Sequence, residues 1–317
     1  MVLHRSRKPG SKGHPRSIRG MGVMERVINE IDKELSKSNI TIDKSSIKEI
    51  SSHGMMSEIF SCKSNVGELI IHLVSANIEQ RRQKTYLKIR YVSDFLKHTK
   101  IPHAEVLLSK YFGRKYLIVQ KRISGKVPKN DNRISKKLYE LLHEIHSIKT
   151  NDFGFIKKFH GNLTGTFKSW EEFLTKESRL WLKSICKSGI ISKSENKKYQ
   201  NLLKNYLLKN MPFIKCKSPK LIHGDMINVG NVIVKNGKIN GIIDFEWAMS
   251  GDPAWEFARK GIIPKKYYYK DEDKKDFENR IKIYFPLVRL WIAYAIHDKN
   301  IKLSKTILKD FEKYINA

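Results

Sequence analysis

The chain has 317 residues, 62 of them Lys or Arg and 32 Asp or Glu, so its formal net charge is +30. This length allows a sizeable core in one large or two modest domains, and because no apolar run approaches the length of a bilayer span, we expect a soluble protein. The three cysteines, Cys62, Cys186 and Cys216, form no CxxC pair, which favours a reducing, cytoplasmic setting over a disulfide-rich secreted class.

The excess positive charge is spread along the chain. Between Lys183 and Lys220, ten lysines accompany one acidic residue, Glu195, but they lie among Leu, Ile and Tyr at helical spacing. No nucleic-acid-binding signature accompanies them, and few aromatic residues are interleaved. We therefore interpret these lysines as solvated helix faces. A basic patch for nucleic acid, an anionic membrane or an acidic substrate stays open as the alternative.

Residues 1–23 predict a disordered basic arm. Lysines, arginines, prolines and glycines dominate it up to Gly20, and such a composition cannot bury an apolar face. It lacks the apolar region of a signal peptide, and its prolines and glycines disfavour the amphipathic helix of a transit peptide. A helix over Glu25–Ser36 follows.

Residues 24–122 predict a small lobe built around a sheet. Tyr86, Ile89, Val92 and Leu96 form the apolar stripe of a long helix, from about residue 79 to residue 99. Runs of β-branched and aromatic residues bounded by turn residues indicate five strands, at Ile47–Ile50, Glu58–Cys62, Glu68–Leu73, Glu105–Leu108 and Tyr116–Gln120.

The loop before the second of these strands contains Gly54 and Ser57. Gly54 would allow the backbone to approach a phosphate closely, and Ser57 would offer a hydroxyl. With a single glycine, an ordinary hairpin turn is an equally good interpretation of this loop.

Residues 123–317 predict a larger, mostly helical lobe. Leu138, Leu141, Leu142 and Ile145 have the spacing of a core-facing helix, and Ser169 with Glu172 three residues later indicates the start of another. His143 and His146 lie three residues apart on the first of these helices, a spacing that fits packing or polar contacts better than a metal pair. The fold class is therefore α+β, with a small antiparallel β-sheet lobe and a larger helical lobe.

The stretch from Leu221 to Arg259 carries the chemistry. Two short β-branched runs flank Asn236-Gly237, the strongest short-range hairpin signal. Such a hairpin brings Asp244 back beside Asn231, where a carboxylate and an amide oxygen could bind one Mg²⁺, and it leaves Asp225 free to act as a base. This layout indicates phosphoryl transfer. The alternative is a loop and hairpin whose polar residues only satisfy backbone groups.

These motifs resemble the aminoglycoside phosphotransferase and choline kinase-like family, which has a two-lobed protein-kinase-like fold. The resemblance extends to residues 142–155 and 169–174, and more faintly to residues 47–125. It rests on His223-Gly224-Asp225, Asn231, the hairpin, Ile243-Asp244-Phe245-Glu246 and Gly251-Asp252-Pro253.

The resemblance implies a role for each matching residue. Asp225 would be the catalytic base, Asn231 and Asp244 would hold Mg²⁺, and His223 would brace the loop. Glu246 and Asp252 would shape the site. The nucleotide ATP would meet Gly54 and Ser57 over its phosphates, and Gln120 to Ile123, including Arg122, through backbone groups at its adenine.

The sequence departs from the family pattern in three places. Asp225 and Asn231 are six residues apart where the family has five, so Asn228 competes with Asn231 as the metal ligand. His72 stands on the third strand where the family places a Lys or Arg that touches phosphates. The following helix has cations, Lys88 and Arg90, near the position of the glutamate that would pair with that cation.

Taken together, the sequence predicts an ATP-dependent kinase that phosphorylates a hydroxyl of a small molecule. The alternative is a catalytically weak kinase-like protein that binds a partner or nucleic acid through its basic surface. Aminoglycosides and neutral or anionic metabolites are all open as acceptors. A negative cleft on a positive body is expected, because five carboxylates fall within 32 residues, at Asp225, Asp244, Glu246, Asp252 and Glu256.

Overall fold

The computed structural model of the protein describes residues 18–50, 57–75, 85–112, 115–128, 132–214, 216–227, 229–264 and 273–316. Over these ranges the chain forms a five-stranded antiparallel sheet with two helices, followed by a larger and mostly helical part. The predicted α+β class with two lobes is confirmed. In the described part of the chain, no helix is long and apolar enough to cross a membrane.

The amino-terminal lobe contains the five predicted strands, each longer than its sequence pattern indicated. The strands run in the spatial order β1-β2-β3-β5-β4, and all neighbours are antiparallel. They are β1 (Ile42–Ile50), β2 (Ser57–Ser64), β3 (Gly67–Ser75), β4 (Val106–Phe112) and β5 (Lys115–Lys121).

Two helices complete this lobe, α1 (Ile18–Ser36) and α2 (Thr85–Leu96). Helix α1 begins seven residues before the predicted Glu25, so residues 18–23, the end of the predicted basic arm, are helical. No proline follows Pro15 in this stretch to prevent that extension. Residues 1–17 lie outside the described residues. Ile31 of α1 packs in one core cluster with Phe60 and Leu69, while Ile89 of α2 packs in another with Tyr116.

The carboxyl-terminal lobe is built on six helices within the described ranges. Ser169 caps the second of them, as predicted, because its Oγ accepts the Glu172 N–H at 3.1 Å. Five buried tryptophans, Trp170, Trp181, Trp247, Trp255 and Trp291, contribute to its core. The helices are α3 (Asn132–Ser147), α4 (Trp170–Lys187), α5 (Lys193–Asn210), α6 (Ala254–Ala258), α7 (Lys274–Ala295) and α8 (Ile301–Ile315).

Short strands position the central stretch against these helices. The predicted hairpin is present, and its turn residues Asn236 and Gly237 both have positive φ, 51° and 69°, as a tight hairpin turn requires. The strands are β6 (Gly154–Phe155), β7 (Lys158–His160), β8 (Asn162–Thr164), β9 (Lys220–Ile222), β10 (Val232–Lys235), β11 (Lys238–Ile242) and β12 (Met249–Gly251), with β12 between β6 and β9.

The β10–β11 hairpin forms backbone hydrogen bonds with both lobes. Before β4, the Ala104 N–H donates to Ile242 O at 2.9 Å. After β5, Lys126 and Val234 exchange backbone hydrogen bonds of 3.0 and 2.8 Å. Gly125 permits this close approach, because its φ is +132° and an added Cβ would lie 2.5 Å from Val234 O. The cleft between the lobes therefore opens directly onto the hairpin and the residues that flank it.

Candidate active site

His223 is the buried anchor of the loop that follows β9. Its Nε2 lies 3.0 Å from Ile243 O, and its Nδ1 lies 3.3 Å from the Asp225 N–H. A neutral ring satisfies both contacts, because Nε2–H can donate while Nδ1 accepts. Burial lowers the His223 pKa, which favours that neutral form. This geometry agrees with the bracing role that the sequence indicated.

Glu256 of α6 also binds the loop that follows β9. Its two carboxylate oxygens accept the N–H groups of Gly224 and Met226, each at 2.7 Å. His146 of α3 lies 3.6 Å from Oε2, a polar contact of the kind that the sequence favoured for this histidine. Burial acts to raise the Glu256 pKa, but hydrogen bonding with His146 and the nearby His223 outweigh it, and the pKa is lowered. Glu256 is therefore a buried carboxylate that orders the loop.

Asp225 projects from this ordered loop, and Arg259 binds its carboxylate. Its Oδ1 lies 2.7 Å from Arg259 Nε, and the Asp225 side chain keeps 15% of its surface exposed. Burial raises the Asp225 pKa, while the positive charge of Arg259 opposes that effect. A carboxylate of raised basicity, held in one orientation and open to the cleft, can accept a proton from a hydroxyl.

Asn231 connects Asp225 to the second acidic residue of the site. Its Nδ2 donates to Asp225 O at 3.1 Å, and its backbone carbonyl accepts the Ile243 N–H at 3.0 Å, next to Asp244. A short 3₁₀ turn at Val229–Asn231 absorbs the extra residue between Asp225 and Asn231. The competing ligand, Asn228, lies outside the described residues. The amide nitrogen of Asn231 is engaged, which leaves its oxygen as the acceptor for a cation.

Asp244 follows β11 in a left-handed conformation, with φ 68° and ψ 60°. The residue keeps an exposed face at the cleft, but protein surrounds its carboxyl group. Desolvation and the negative charges of Glu246 and Asp225 raise its pKa well above the usual range. Three neighbouring carboxyl groups that disfavour each other's ionisation suit a bound cation, and Asp244 with the Asn231 oxygen matches the oxygen ligands of Mg²⁺.

A cavity of about 200 Å³ adjoins these residues, between the sheet and the hairpin. Tyr116 lies in its wall, donates a hydrogen bond to Glu246, and is nearly fully buried. The remaining lining is mostly apolar and comes from both lobes: Ile59, His72, Val74, Ile89, Ala104, Val106, Ile118, Gln120, Ile243, Asp244 and Phe245.

His72 and Gln120 both line this cavity and contact each other. The Nε2 atoms of the two side chains are 3.2 Å apart, so the Gln120 amide donates to an unprotonated His72 nitrogen. Desolvation lowers the His72 pKa to about 4. Strand β3 therefore presents a neutral ring at the position where the family pattern predicts a cation.

The other predicted nucleotide contacts have different outcomes. Arg122 lies away from the cavity, because its side chain forms an ion pair with Glu68 on the surface and its N–H donates to Glu68 O at 2.8 Å. Of the predicted stretch from Gln120 to Ile123, Gln120 lines the cavity. Ser57 begins β2, although its side chain is not described. Gly54 lies outside the described residues.

Comparison with known proteins identifies the family. A model described as the phosphotransferase enzyme family matches residues 65–285, which is most of the chain. The chain belongs to this phosphotransferase family. No curated protein sequence matches the chain.

Solved phosphotransferases share its fold. A thermostable mutant of aminoglycoside phosphotransferase APH(4)-Ia, in a ternary complex with ADP and hygromycin B, aligns with a TM-score of 0.65 and 18% identity, over 87% of this chain and 94% of that one. ADP-bound aminoglycoside phosphotransferase APH(2'')-Ib gives 0.57 and 18%, over 90% and 96%. Macrolide 2'-phosphotransferase MphH from Brachybacterium faecium gives 0.52 and 11%, over 88% and 97%.

Of the five carboxylates counted along the sequence of this phosphotransferase, two do not face the cleft. Only Asp225, Asp244 and Glu246 belong to the cleft. Glu256 is fully buried beneath the catalytic loop, and Asp252 is bound 2.7 Å from both Arg280 Nε and the Tyr284 hydroxyl. Counting charges along the sequence could not separate Asp252 and Glu256 from the other three carboxylates, because the buried partners that neutralise them are visible only in the fold.

Sequence reasoning also missed Arg259 beside Asp225 and Tyr116 beside Glu246. Arg259 stands only three residues after Glu256, so a helical turn could have placed the two on related faces. No local signal links Tyr116 to a residue 130 positions later, because that contact forms only when the two lobes close on the cavity.

Proposed function

We propose that the protein is an ATP- and Mg²⁺-dependent kinase that phosphorylates a hydroxyl group of a small molecule. One observation carries this proposal. Asn231 is bonded to the Asp225 carbonyl on one side and to Ile243, next to Asp244, on the other. A base and two metal ligands are thereby held in one rigid unit, which is the arrangement that phosphoryl transfer needs and that a binding module does not.

In the proposed reaction Asp225 orients the acceptor hydroxyl and accepts its proton. The hydroxyl oxygen forms a bond to the γ-phosphorus of ATP, the bond from that phosphorus to the β–γ bridging oxygen breaks, and ADP leaves. The proton passes from Asp225 to solvent. Asn231 and Asp244 would hold Mg²⁺, which supplies positive charge to the phosphate oxygens when it is bound.

The mostly apolar cavity supports binding of a nucleotide base. Ile59, Ile118 and Ile243 can cover its faces. Related folds bind ADP, as the APH(4)-Ia and APH(2'')-Ib complexes illustrate. We propose ATP as the phosphoryl donor on this basis.

A weaker kinase is the second candidate, and His72 is the observation that favours it. A neutral imidazole hydrogen-bonded to Gln120 attracts phosphate less than a fixed cation does. In that case, the protein would act mainly as a binding module through its basic surface. A thermal shift separates the two candidates, because ligand binding to the folded state raises the melting temperature. No stabilisation at millimolar Mg²⁺-ATP would support the second candidate.

The decisive experiment measures acceptor-dependent ATP consumption with sugars, amino alcohols, nucleosides and aminoglycosides as acceptors. We expect Asp225→Ala to lose at least about 100-fold in rate while it still binds Mg²⁺-ATP. Asp244→Ala should lose metal-dependent stabilisation by ATP. Asp298→Ala, which removes an exposed carboxylate near the end of α7, is the control and should behave as wild type. An Asp225→Ala protein with the wild-type rate would exclude this mechanism.

A further inference from the structure

Arg259 uses only part of its guanidinium group to hold Asp225. Nε forms the ion pair with Asp225 Oδ1 at 2.7 Å, and 21% of the side chain is exposed. Within the described part of the chain, neither terminal nitrogen, Nη1 nor Nη2, makes a hydrogen bond. A guanidinium held through Nε alone keeps a pair of terminal nitrogens with the geometry that binds a carboxylate or phosphate through two parallel hydrogen bonds.

Two tryptophans hold this guanidinium in place. The Arg259 Cζ lies 5.9 Å from the Trp247 ring centroid and 5.5 Å from that of Trp291, both within the range of cation–π attraction. Both rings are themselves almost completely buried. The orientation of Arg259 is therefore set before any ligand arrives, which reduces the entropy lost on binding.

Arg259 and Lys299 supply positive charge to a cleft that also contains the carboxyl groups of Asp225, Asp244 and Glu246. Of the predicted carboxylate cluster, Asp252 and Glu256 are buried and bound by other groups. Asp225 is the carboxylate that Arg259 itself binds. Lys299, after α7, adds a second cation within electrostatic reach of Glu246. The net charge of +30 further attracts anions to the protein as a whole.

We infer that Arg259 binds an oxyanion of the acceptor, so that the acceptor of the proposed kinase is a hydroxylated carboxylate or phosphate ester. This inference rests on the proposed function and narrows its substrate class. The oxyanion occupies Nη1 and Nη2, while the acceptor hydroxyl meets the Asp225 oxygen that Arg259 leaves free. One guanidinium thereby places the base and the substrate together.

The test compares acceptors that differ by a single anionic group. Phosphorylation is measured with gluconate against glucitol, glycerate against glycerol, and ribose 5-phosphate against ribose, with hygromycin B as a polycation. We expect the wild type to have a higher kcat/KM for the anionic member of at least one pair. A preference within the gluconate or glycerate pair indicates a carboxylate, and a preference within the ribose 5-phosphate pair indicates a phosphate ester.

Arg259→Gln should reduce the ratio of kcat/KM values, anionic over neutral, by about 10- to 100-fold, mainly through a higher KM for the anion. The ratio isolates acceptor binding, because loss of the Asp225 ion pair affects both members of a pair alike. Arg259→Lys should keep part of the preference, since lysine keeps the positive charge but lacks the paired N–H donors of the guanidinium group. Arg179→Gln, an exposed arginine on α4, is the matched control and should leave the ratio unchanged.

A preference for neutral or polycationic acceptors, or an unchanged ratio in Arg259→Gln, would overturn the inference. Calorimetric binding of the same compounds, with Mg²⁺-ADP present, gives a readout that does not need turnover. If Mg²⁺-ATP neither stabilises the protein nor is consumed, the proposed kinase function fails. The binding comparison between wild type and Arg259→Gln still decides whether Arg259 recognises the oxyanion.

Discussion

The Glu256 carboxylate lies directly beneath the loop that carries Asp225, with Oε2 2.7 Å from the Gly224 nitrogen. Its other oxygen takes the Met226 N–H at the same distance. Both donors are in fully buried residues, so no water replaces the carboxylate if it is removed. The loop that carries Asp225 therefore depends on a side chain from α6, about 30 residues later in the chain.

We predict that Glu256→Ala lowers the free energy of unfolding by about 3 kcal/mol, because two buried N–H groups lose their acceptors. Glu256→Gln keeps one acceptor oxygen and should fall between this variant and the wild type. Urea unfolding measures both values. Glu140→Ala, which removes a half-exposed carboxylate of α3, should change stability little. Equal stability of Glu256→Ala and wild type would contradict the bracing role.

The pH dependence of catalysis should report the charge of Arg259. Asp225 must be ionised to accept a proton, and its pKa is raised by burial but held down by Arg259. Removal of that positive charge in Arg259→Gln raises the Asp225 pKa further, so activity is lost at a higher pH as the solution is acidified. The Asp244 pKa moves in the same direction. A kcat/KM profile measures the shift, and an acid limb that stays in place or moves down would refute it.

His72 should make the protein less stable in mild acid. Its pKa is about 4 in the folded protein and 6.5 when unperturbed. As the pH falls from about 6.5 toward 4, the unfolded chain binds a proton that the folded protein excludes, and the free energy of unfolding decreases. We expect His72→Gln to lose less stability than wild type between pH 7 and pH 5, by urea unfolding. His98→Gln, an exposed histidine of the same lobe, should retain the wild-type loss.

Gly125 and Gly237, two glycines of positive φ, provide a matched test of the backbone contact between Gly125 and Val234. In Gly125→Ala the new Cβ would lie 2.5 Å from Val234 O, in addition to the backbone strain, and we expect a cost of about 3 kcal/mol. In Gly237→Ala the φ of +69° lies in the left-handed helical region, which costs an alanine less than a φ of +132°, and no atom lies within 4 Å of the new Cβ. Its cost should be about 1 kcal/mol. If urea unfolding gives equal costs for the two variants, the backbone contact between Gly125 and Val234 adjusts to the new methyl group without loss of stability.

Local patterns were sufficient for most elements of the fold. Asn236-Gly237 predicted the hairpin, Ser169 with Glu172 predicted the start of α4, and runs of β-branched and aromatic residues bounded by turn residues predicted the five strands of the sheet. Each of these signals depends on interactions between residues that are close in sequence, so it does not require knowledge of the tertiary structure. No such local signal showed that the Arg122 N–H, expected at adenine, donates to Glu68 O, because Glu68 is distant in sequence.

By itself, the sequence determined the types of chemical group at the centre of the site. Asp225, Asn231 and Asp244 stand at fixed distances around a turn and a hairpin, and local backbone rules bring them together. The tertiary structure decided which charges act in the cleft. Asp252 and Glu256 are neutralised by partners from other helices or by loop amides, while Arg259 reaches Asp225 across 34 positions. Burial and long-range pairing set these charges, and neither is encoded in the spacing of residues along the chain.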